Sequence, residues 1–471
     1  MDPMGLAEHL EHPTGRGHVP PGGSTGVAGG AVCGDLVTIT LRVEGDRVAD
    51  VGFEASGCGS AQAAGSAVVQ LVTGAPLLAA AAVGTAAIAR ELGGLSAGKL
   101  HAADLAADAL HQALGAAARA AAALAPDVNR TLVAMSGGVD SAVAALLVER
   151  AGRAAVGVTL ELWRDPDNDA EASCCSASAV RAARAVAHGL GLPHFTLDLR
   201  EEFRAGVVDP WLAGHAAGET PNPCVRCNGG VRLDAMVAFA DRLGAADLAT
   251  GHYARRTGDG LLRAGADPAK DQAYMLAATA PATLARLRFP LGDLVKPRVR
   301  ALAAEAGLAV AGQAESQDLC FLAGTGRAAF LAKHGAQSDR PGDLVDRAGR
   351  PIGRHRGQHH FTVGQRRGIG LAAAEPLYVL AKDRDANTVT VGVRAQLATR
   401  EVAVREAVLH RPAEEVEAVK LRYHARAIAC TAAGEGPELR LTLAEPVQGA
   451  APGQAAVLLR GDAVVGVGTI A

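Results

Sequence analysis

The chain has 471 residues, room for about three domains, and a formal net charge of −3, so any surface for nucleic acid must be a local patch. No apolar run approaches membrane-span length and no charged-then-apolar leader opens the chain, which sets the expectation of a cytoplasmic protein with no membrane partner. Eight cysteines in that setting point to reactive or metal-binding thiols rather than disulfides.

Residues 1–30, rich in Gly, Pro and His without periodicity, read as a flexible lead. From 31 to 126 the pattern predicts a compact α+β domain. Leu36–Val43 and Val48–Glu54 are strands around the turn Glu44-Gly45-Asp46, Gly57–Thr73 is a helix, and Leu105–Leu124 is a second, Ala-rich helix. Pro126-Asp127 marks a boundary. Strand Thr131–Ala134, turn Ser136–Ser141 and helix Ala142–Arg150 follow, then strand Ala154–Trp163, helix Ser178–Leu190 and strand His194–Leu199. This alternation predicts a doubly wound parallel sheet over 127–290, with ligands beyond the strand C-termini. Cys174 and Cys175 read as structural or incidental thiols, and His188 and His215 as surface residues. Pro221 and Pro223 are expected to hold Gly218–Leu233 extended, with Cys224 and Cys227 on a rigid loop. A small linking domain is expected over 291–345, including a helix at Val299–Ala306. Short strands over 346–471 predict a β-barrel, so the whole is an α/β multidomain protein. The arginines and three histidines of Gly349–Gly370 suit a phosphate-contacting surface.

The chemistry begins at Ser136-Gly137-Gly138-Val139-Asp140-Ser141. Two glycines let backbone N–H groups close around an anion, both serine hydroxyls add donors, and the helix N-terminus supplies favourable partial charge. It is not a Walker loop, because no Lys-Ser/Thr pair follows the glycines. Asp140 stands there instead, and a carboxylate beside phosphates calls for Mg²⁺ between them. The loop resembles the SGGxDS loop of the ATP pyrophosphatase family, which grips the pyrophosphate end of ATP.

The first domain resembles the IscU/NifU-type iron–sulfur scaffold family through Cys33-Gly34-Asp35, through Phe53–Ala61 with Cys58, and through Lys99-Leu100-His101. The resemblance implies that Cys33, Asp35, Cys58 and His101 hold zinc or a labile cluster. Ala102 stands where that family carries its third cysteine.

From about Arg130 onward the chain resembles the tRNA-specific 2-thiouridylase family. The match rests on SGGVDS, Asn222-Pro223-Cys224-Val225-Arg226-Cys227, Thr250-Gly251-His252-Tyr253, Lys270-Asp271-Gln272, Gln317-Asp318-Leu319-Cys320-Phe321 and Gly364-Gln365-Arg366-Arg367-Gly368. The resemblance implies that ATP adenylates a tRNA wobble uridine oxygen and that sulfur then displaces AMP. By it, Ala134, Met135, Ser136, Gly137, Gly138, Val139, Asp140, Ser141, Leu160 and Gly251 meet ATP. Cys227 is the nucleophile, favoured as thiolate by a cation such as Arg226, and Cys320 carries a persulfide. Alternatively Cys224, Cys227 and Cys320 hold a 4Fe–4S cluster by three irons. The same resemblance puts Asn222, Pro223, Cys224, His252, Lys270, Asp271, Gln272, Gln365, Arg422 and Tyr423 on tRNA, with a cysteine desulfurase or sulfur relay protein as donor. Two rival readings stand beside it: a scaffold or sulfur-carrier protein, and an ATP pyrophosphatase acting on a small molecule.

Overall fold

The computed structural model describes residues 5–29, 34–164, 176–313, 319–322, 324–335, 339–434 and 436–471. They form two compact units, Met1–Arg200 with Ala235–His252 and Arg286–Phe321, and Glu201–Asp234 with Tyr253–Ala285 and Leu322–Ala471. Among the described residues no helix is long and apolar enough to cross a membrane.

The first unit opens with helix α1 (Gly5–Glu11) and strands β1 (Ser24–Gly29), β2 (Leu36–Glu44) and β3 (Arg47–Ser56), which pair antiparallel in chain order. Val37, Ile39 and Leu41 alternate inward from β2 and are fully buried, the period-2 signature of a half-buried strand. Helices α2 (Gly59–Val72) and α3 (Leu100–Ala121) cover that face. The expectation of a flexible lead is corrected here, since that segment supplies α1 and β1. The reason is close approach: a Cβ on Gly26 of β1 would stand 2.0 Å from Ala109 O of α3. Small residues that let a helix lie on a strand carry no apolar alternation for the eye to find.

The five-stranded parallel sheet follows. Strands β4 (Asp127–Ala134), β5 (Ala154–Glu161), β6 (His194–Asp198), β7 (Ala245–Ala249) and β8 (Leu287–Arg288) stand in the order β8-β7-β4-β5-β6. Leu132 and Val133 of β4 are buried on opposite faces, as a central parallel strand requires. Helices α4 (Val139–Arg150), α5 (Ala177–Gly189) and α6 (Lys296–Glu305) pack around it, α6 directly on α4. Residues 286–321 therefore belong with the nucleotide sheet rather than opening a separate linking domain.

Edge strand β6 is covered by α3. A Cβ on Gly115 would stand 1.8 Å from Thr196 O, and the His194 amide donates to Ala81 O at 2.9 Å. Both ring nitrogens of buried His111 face carbonyls, Nδ1 at 2.8 Å from His194 O and Nε2 at 2.9 Å from Val83 O. Arg181 and Arg184 of α5 each meet the Asp108 carboxylate at 2.6 Å. His188, expected on the surface, is half-buried: its Nε2 lies 3.2 Å from Ala81 O, and desolvation lowers its pKa.

In the second unit, β9 (Gly342–Val345), β10 (Pro351–His355), β11 (Leu377–Asp383) and β12 (Thr388–Val393) form a four-stranded sheet in the order β10-β9-β12-β11. Leu344, Phe361, Ile369, Val379, Val389 and Val391 fill its core. Strands β13 (Ala398–Leu409), β14 (Ala418–Lys420), β15 (Ile428–Ala433), β16 (Leu439–Gln448), β17 (Ala455–Arg460) and β18 (Ala463–Ile470) run β13-β16-β15-β14-β17-β18, and β13 pairs with β18 to close a barrel. The single barrel expected over 346–471 is thus two structures, a sheet to Val393 and a barrel from Ala398. Closure removes the free edges of the barrel strands.

His215, expected on the surface, is buried against Trp211 with ring centroids 4.4 Å apart. His355, Gln358 and His359 of the basic stretch are likewise buried, because that stretch passes through the core of the four-stranded sheet. Its arginines Arg366 and Arg367 remain exposed.

Candidate active site

The glycine loop Ser136–Ser141, expected to hold phosphate, joins β4 to α4. Met135 is fixed by its amide donating to Val158 O of β5 at 2.8 Å. Gly137 has φ +76 and a Cβ there would stand 2.6 Å from Ala179 O, so both conformation and space demand glycine. Ser141 Oγ accepts from the Ser136 amide at 3.1 Å and donates to Gly138 O at 3.0 Å, folding the turn around one hydroxyl. Gly138 is the N-cap of α4, Val139 is buried and Ser136 is exposed. Gly251 abuts the loop, since a Cβ there would stand 2.8 Å from Ser141 N. Ala134 ends β4, and Leu160 is the next-to-last residue of the adjacent parallel strand β5.

Sequence reasoning missed Lys296. Its Nζ lies 2.7 and 2.8 Å from the two Asp140 carboxylate oxygens, and the residue is only 7% exposed. The Asp140 carboxylate, for which the sequence suggests a metal partner, also meets this ammonium in the fold. A signal was present: Lys296 opens α6 just before Pro297, and a cation at a helix N-terminus is unfavourable unless something anionic faces it.

Cys224 and Cys227 lie in the second unit and Cys320 in the first. The expected extended loop is corrected, because Pro223–Cys227 is helical and runs on through a π turn, Asn228–Arg232, into Leu233–Arg242. Proline at the first helical position loses no hydrogen bond, and Asn222 caps that position with Oδ1 accepting from Cys224 N at 3.1 Å and Val225 N at 3.3 Å. The helix sets Cys224 and Cys227 three residues apart on one face, with Cys227 buried and Cys224 half-buried. Arg226, offered as a cation for the thiolate, sends Nε to Gly206 O at 2.7 Å. Cys320 precedes Phe321, whose ring meets Trp163 edge-on at 6.5 Å.

Of the four residues that the resemblance names in the first domain, Asp35, Cys58 and His101 come together. Asp35 accepts from the Cys58 amide at 2.8 Å and from its thiol at 3.1 Å, and His101 Nε2 lies 3.0 Å from Asp35 Oδ2. The Cys58 amide, then its thiol and His101, hold the Asp35 carboxyl below its ordinary range despite burial. His101 Nδ1 is 2.9 Å from Gly98 O; with Nδ1–H donating there, Nε2 is left to face Asp35 and Cys58. Cys33, Cys174, Cys175, Gln317 and Asp318 lie outside the described residues, and Ala102 is buried.

Several residues expected on tRNA shape the fold. Asp271 Oδ1 accepts from Gly265 N and Ala273 N at 3.1 Å, and Gln272 Oε1 accepts from Tyr253 N at 3.0 Å. Gln365 closes its own turn, accepting from Thr362 N at 3.0 Å and donating to Arg367 O at 2.9 Å. Arg422 donates to Gly449 O at 2.8 Å, Tyr423 lies 6.1 Å from the Tyr274 ring, and His252 Nδ1 is 3.0 Å from Thr250 Oγ1. Lys270 is half-buried.

A parallel sheet ending in a glycine phosphate loop, a capped helix with paired thiols and a closed barrel define a nucleotide-binding enzyme class with an accessory barrel. Family models agree: the NifU-like N terminal domain matches residues 5–122, the tRNA methyl transferase HUP domain 129–324, the tRNA methyl transferase PRC-barrel domain 328–393 and the aminomethyltransferase beta-barrel domain 399–470. The chain is 44% identical over 481 residues to a bifunctional protein NifU/MnmA of Rubrobacter xylanophilus, covering 99% of this chain and 98% of that one. It is 44% identical to a tRNA-specific 2-thiouridylase MnmA of Methylorubrum extorquens and 40% identical to that of Geobacter metallireducens, each over 73% of this chain and 94% and 96% of the relative. The chain belongs to the bifunctional NifU/MnmA family, a NifU-like domain followed by a tRNA-specific 2-thiouridylase.

Proposed function

We propose that the protein is an ATP-dependent tRNA sulfurtransferase that converts the C2 carbonyl of the wobble uridine to a thiocarbonyl. The uridine oxygen attacks the α-phosphorus of ATP and pyrophosphate leaves; sulfur then attacks C2, and AMP departs with the former uridine oxygen. The observation that carries this reading is the phosphate loop, in which Ser136, Gly137, Gly138 and Ser141 offer donors while Asp140 and Lys296 face each other at its mouth. Asp140 is the residue that would hold Mg²⁺, which would supply neutralising positive charge, and Lys296 supplies an ammonium for the departing pyrophosphate. Leu160 and Gly251 complete the nucleotide surface. Asn222, Pro223 and Cys224 line the base, and His252, Lys270, Arg422 and Tyr423 meet tRNA, with Asp271, Gln272 and Gln365 beside them.

Cys227 is the nucleophile and Cys320 the sulfur carrier, fed by a cysteine desulfurase or relay protein. Cys224, three residues before Cys227 on the same helix, also suits a three-thiolate 4Fe–4S site. Incubating the chain with unmodified tRNA and ATP tests the reading: AMP, pyrophosphate and thiolated tRNA appear together, and ATP turnover without tRNA dependence refutes it. Cys227→Ser and Cys320→Ser abolish thiolation by either sulfur route, whereas Cys224→Ser abolishes it only if a cluster serves.

In the NifU-like domain, Asp35, Cys58 and His101 bring one ligand atom each within 4.8 Å of one another, and the Gly98 hydrogen bond orients His101 as metal ligands are oriented. With Ala102 in place of a third thiol, Asp35, Cys58 and His101 suit mononuclear zinc over an iron–sulfur cluster. Zinc analysis of His101→Ala checks it.

A further inference from the structure

The helix that carries Cys224 and Cys227 is held by the barrel, and the hold passes through residues no motif singled out. Glu219, three residues before the Asn222 cap, meets Arg405 of β13 at 2.8 and 2.9 Å. Arg405 stands at a β-bulge: Glu406 has φ +53, and the register against β18 slips between Arg405 and Val408. Bulges re-aim side chains, and this one turns a barrel arginine onto Glu219. Next along the chain, the Thr220 amide donates to Pro452 O at 2.8 Å and Gln454 Nε2 donates to Thr220 O. Approach is closest at Gly453, φ +88, where a Cβ would stand 2.9 Å from Glu219 Cβ.

The β16–β17 turn that makes these contacts also carries Gly449, whose carbonyl accepts from Arg422. One residue beyond Gln454, Ala455 O accepts from Tyr274 Oη at 3.0 Å, and Tyr274 faces Tyr423. One turn thus touches the Arg422–Tyr423 side and the Glu219–Thr220 side. Between Thr220 and the helix lie Pro221 and the cap Asn222, and Pro223 opens the helix. Two rings with fixed φ leave little torsional slack, so a shift at Thr220 reaches the Asn222 cap rather than dissipating.

We infer that Glu219, Arg405 and Gln454 are positioning residues through which tRNA held at Arg422–Tyr423 sets the Asn222–Cys227 helix for sulfur transfer. The inference rests on the tRNA-thiolation reading and adds that the barrel works on the thiols as well as on the RNA.

The test uses the full chain with tRNA and ATP. Glu219→Gln keeps the shape and removes the charge. It leaves tRNA affinity within about twofold, slows single-turnover sulfur transfer about tenfold or more, and abolishes the change that tRNA makes in the Cys227 alkylation rate. The exchanged pair Glu219→Arg with Arg405→Glu recovers most of the rate, which a merely structural lesion would not allow. Gln454→Met, which loses the donor to Thr220 at similar volume, shows the same pattern and decides the matter if Glu219→Gln does not fold. An unchanged transfer rate in the variants, or rate and tRNA affinity falling together, overturns the inference. Wild-type protein that makes no AMP with tRNA refutes the thiolation reading instead, and the alkylation response to tRNA still decides whether the barrel reaches Cys227.

Discussion

At the scale of single residues, the phosphate loop depends on a pair that sequence spacing does not connect. Asp140 and Lys296 are 156 positions apart, and two carboxylate oxygens meeting a buried ammonium offset the cost of its burial. Lys296→Met and Asp140→Ala are each expected to lower tRNA-dependent pyrophosphate release about a hundredfold, measured by pyrophosphate assay. Lys296→Arg should recover little, because a planar guanidinium does not replace a compact ammonium. His215 makes a second case. Burial first, then Arg327, Lys382 and His359, lower its pKa to about 3. The unfolded chain takes a proton near pH 6.5 and the folded chain does not, so between pH 6.5 and about 3 the unfolded state binds more protons. Stability therefore falls as pH falls through that window, by no more than about 5 kcal/mol from this group. His215→Phe should flatten the loss of melting temperature between pH 7 and 5, followed by circular dichroism.

At the scale of elements, proline and glycine decided more than hydrophobic pattern did. Pro223 reads as a helix breaker from composition, yet at the first helical position its missing N–H costs nothing, and Asn222 beside it is a strong N-cap. The sequence held both readings, and only the cap geometry chose. Helix α3 is amphipathic twice over, with one stripe on β1 and β2 and another on β6, and Gly115 is where the second contact is tightest. Gly115→Val places carbon 1.8 Å from Thr196 O, an overpacking worth about 1–3 kcal/mol or more. A fall of roughly 3–10 °C in calorimetric melting temperature is expected. Gly98→Ala, where a Cβ meets nothing within 4 Å, is the control and should shift little.

At the scale of the whole molecule, the NifU-like domain is more than an appended module. It covers the edge of the nucleotide sheet through Asp108, His111 and Gly115, where β6 would otherwise offer a free strand to other chains. Removing residues 1–122 is accordingly expected to give a chain that aggregates in size-exclusion chromatography and loses ATP turnover, although the phosphate loop itself is retained. Sequence alone determined the elements whose pattern is local: the tight glycine turn at Gly137, because its φ and close approach demand glycine; and the parallel sheet, because strand and helix alternate. Tertiary structure alone decided Lys296 against Asp140, the burial of His215 and half-burial of His188, the pairing of β1 and the grip of Arg405 on Glu219. Those depend on which distant segments meet, and a one-dimensional pattern records what a residue is but not what the fold brings against it.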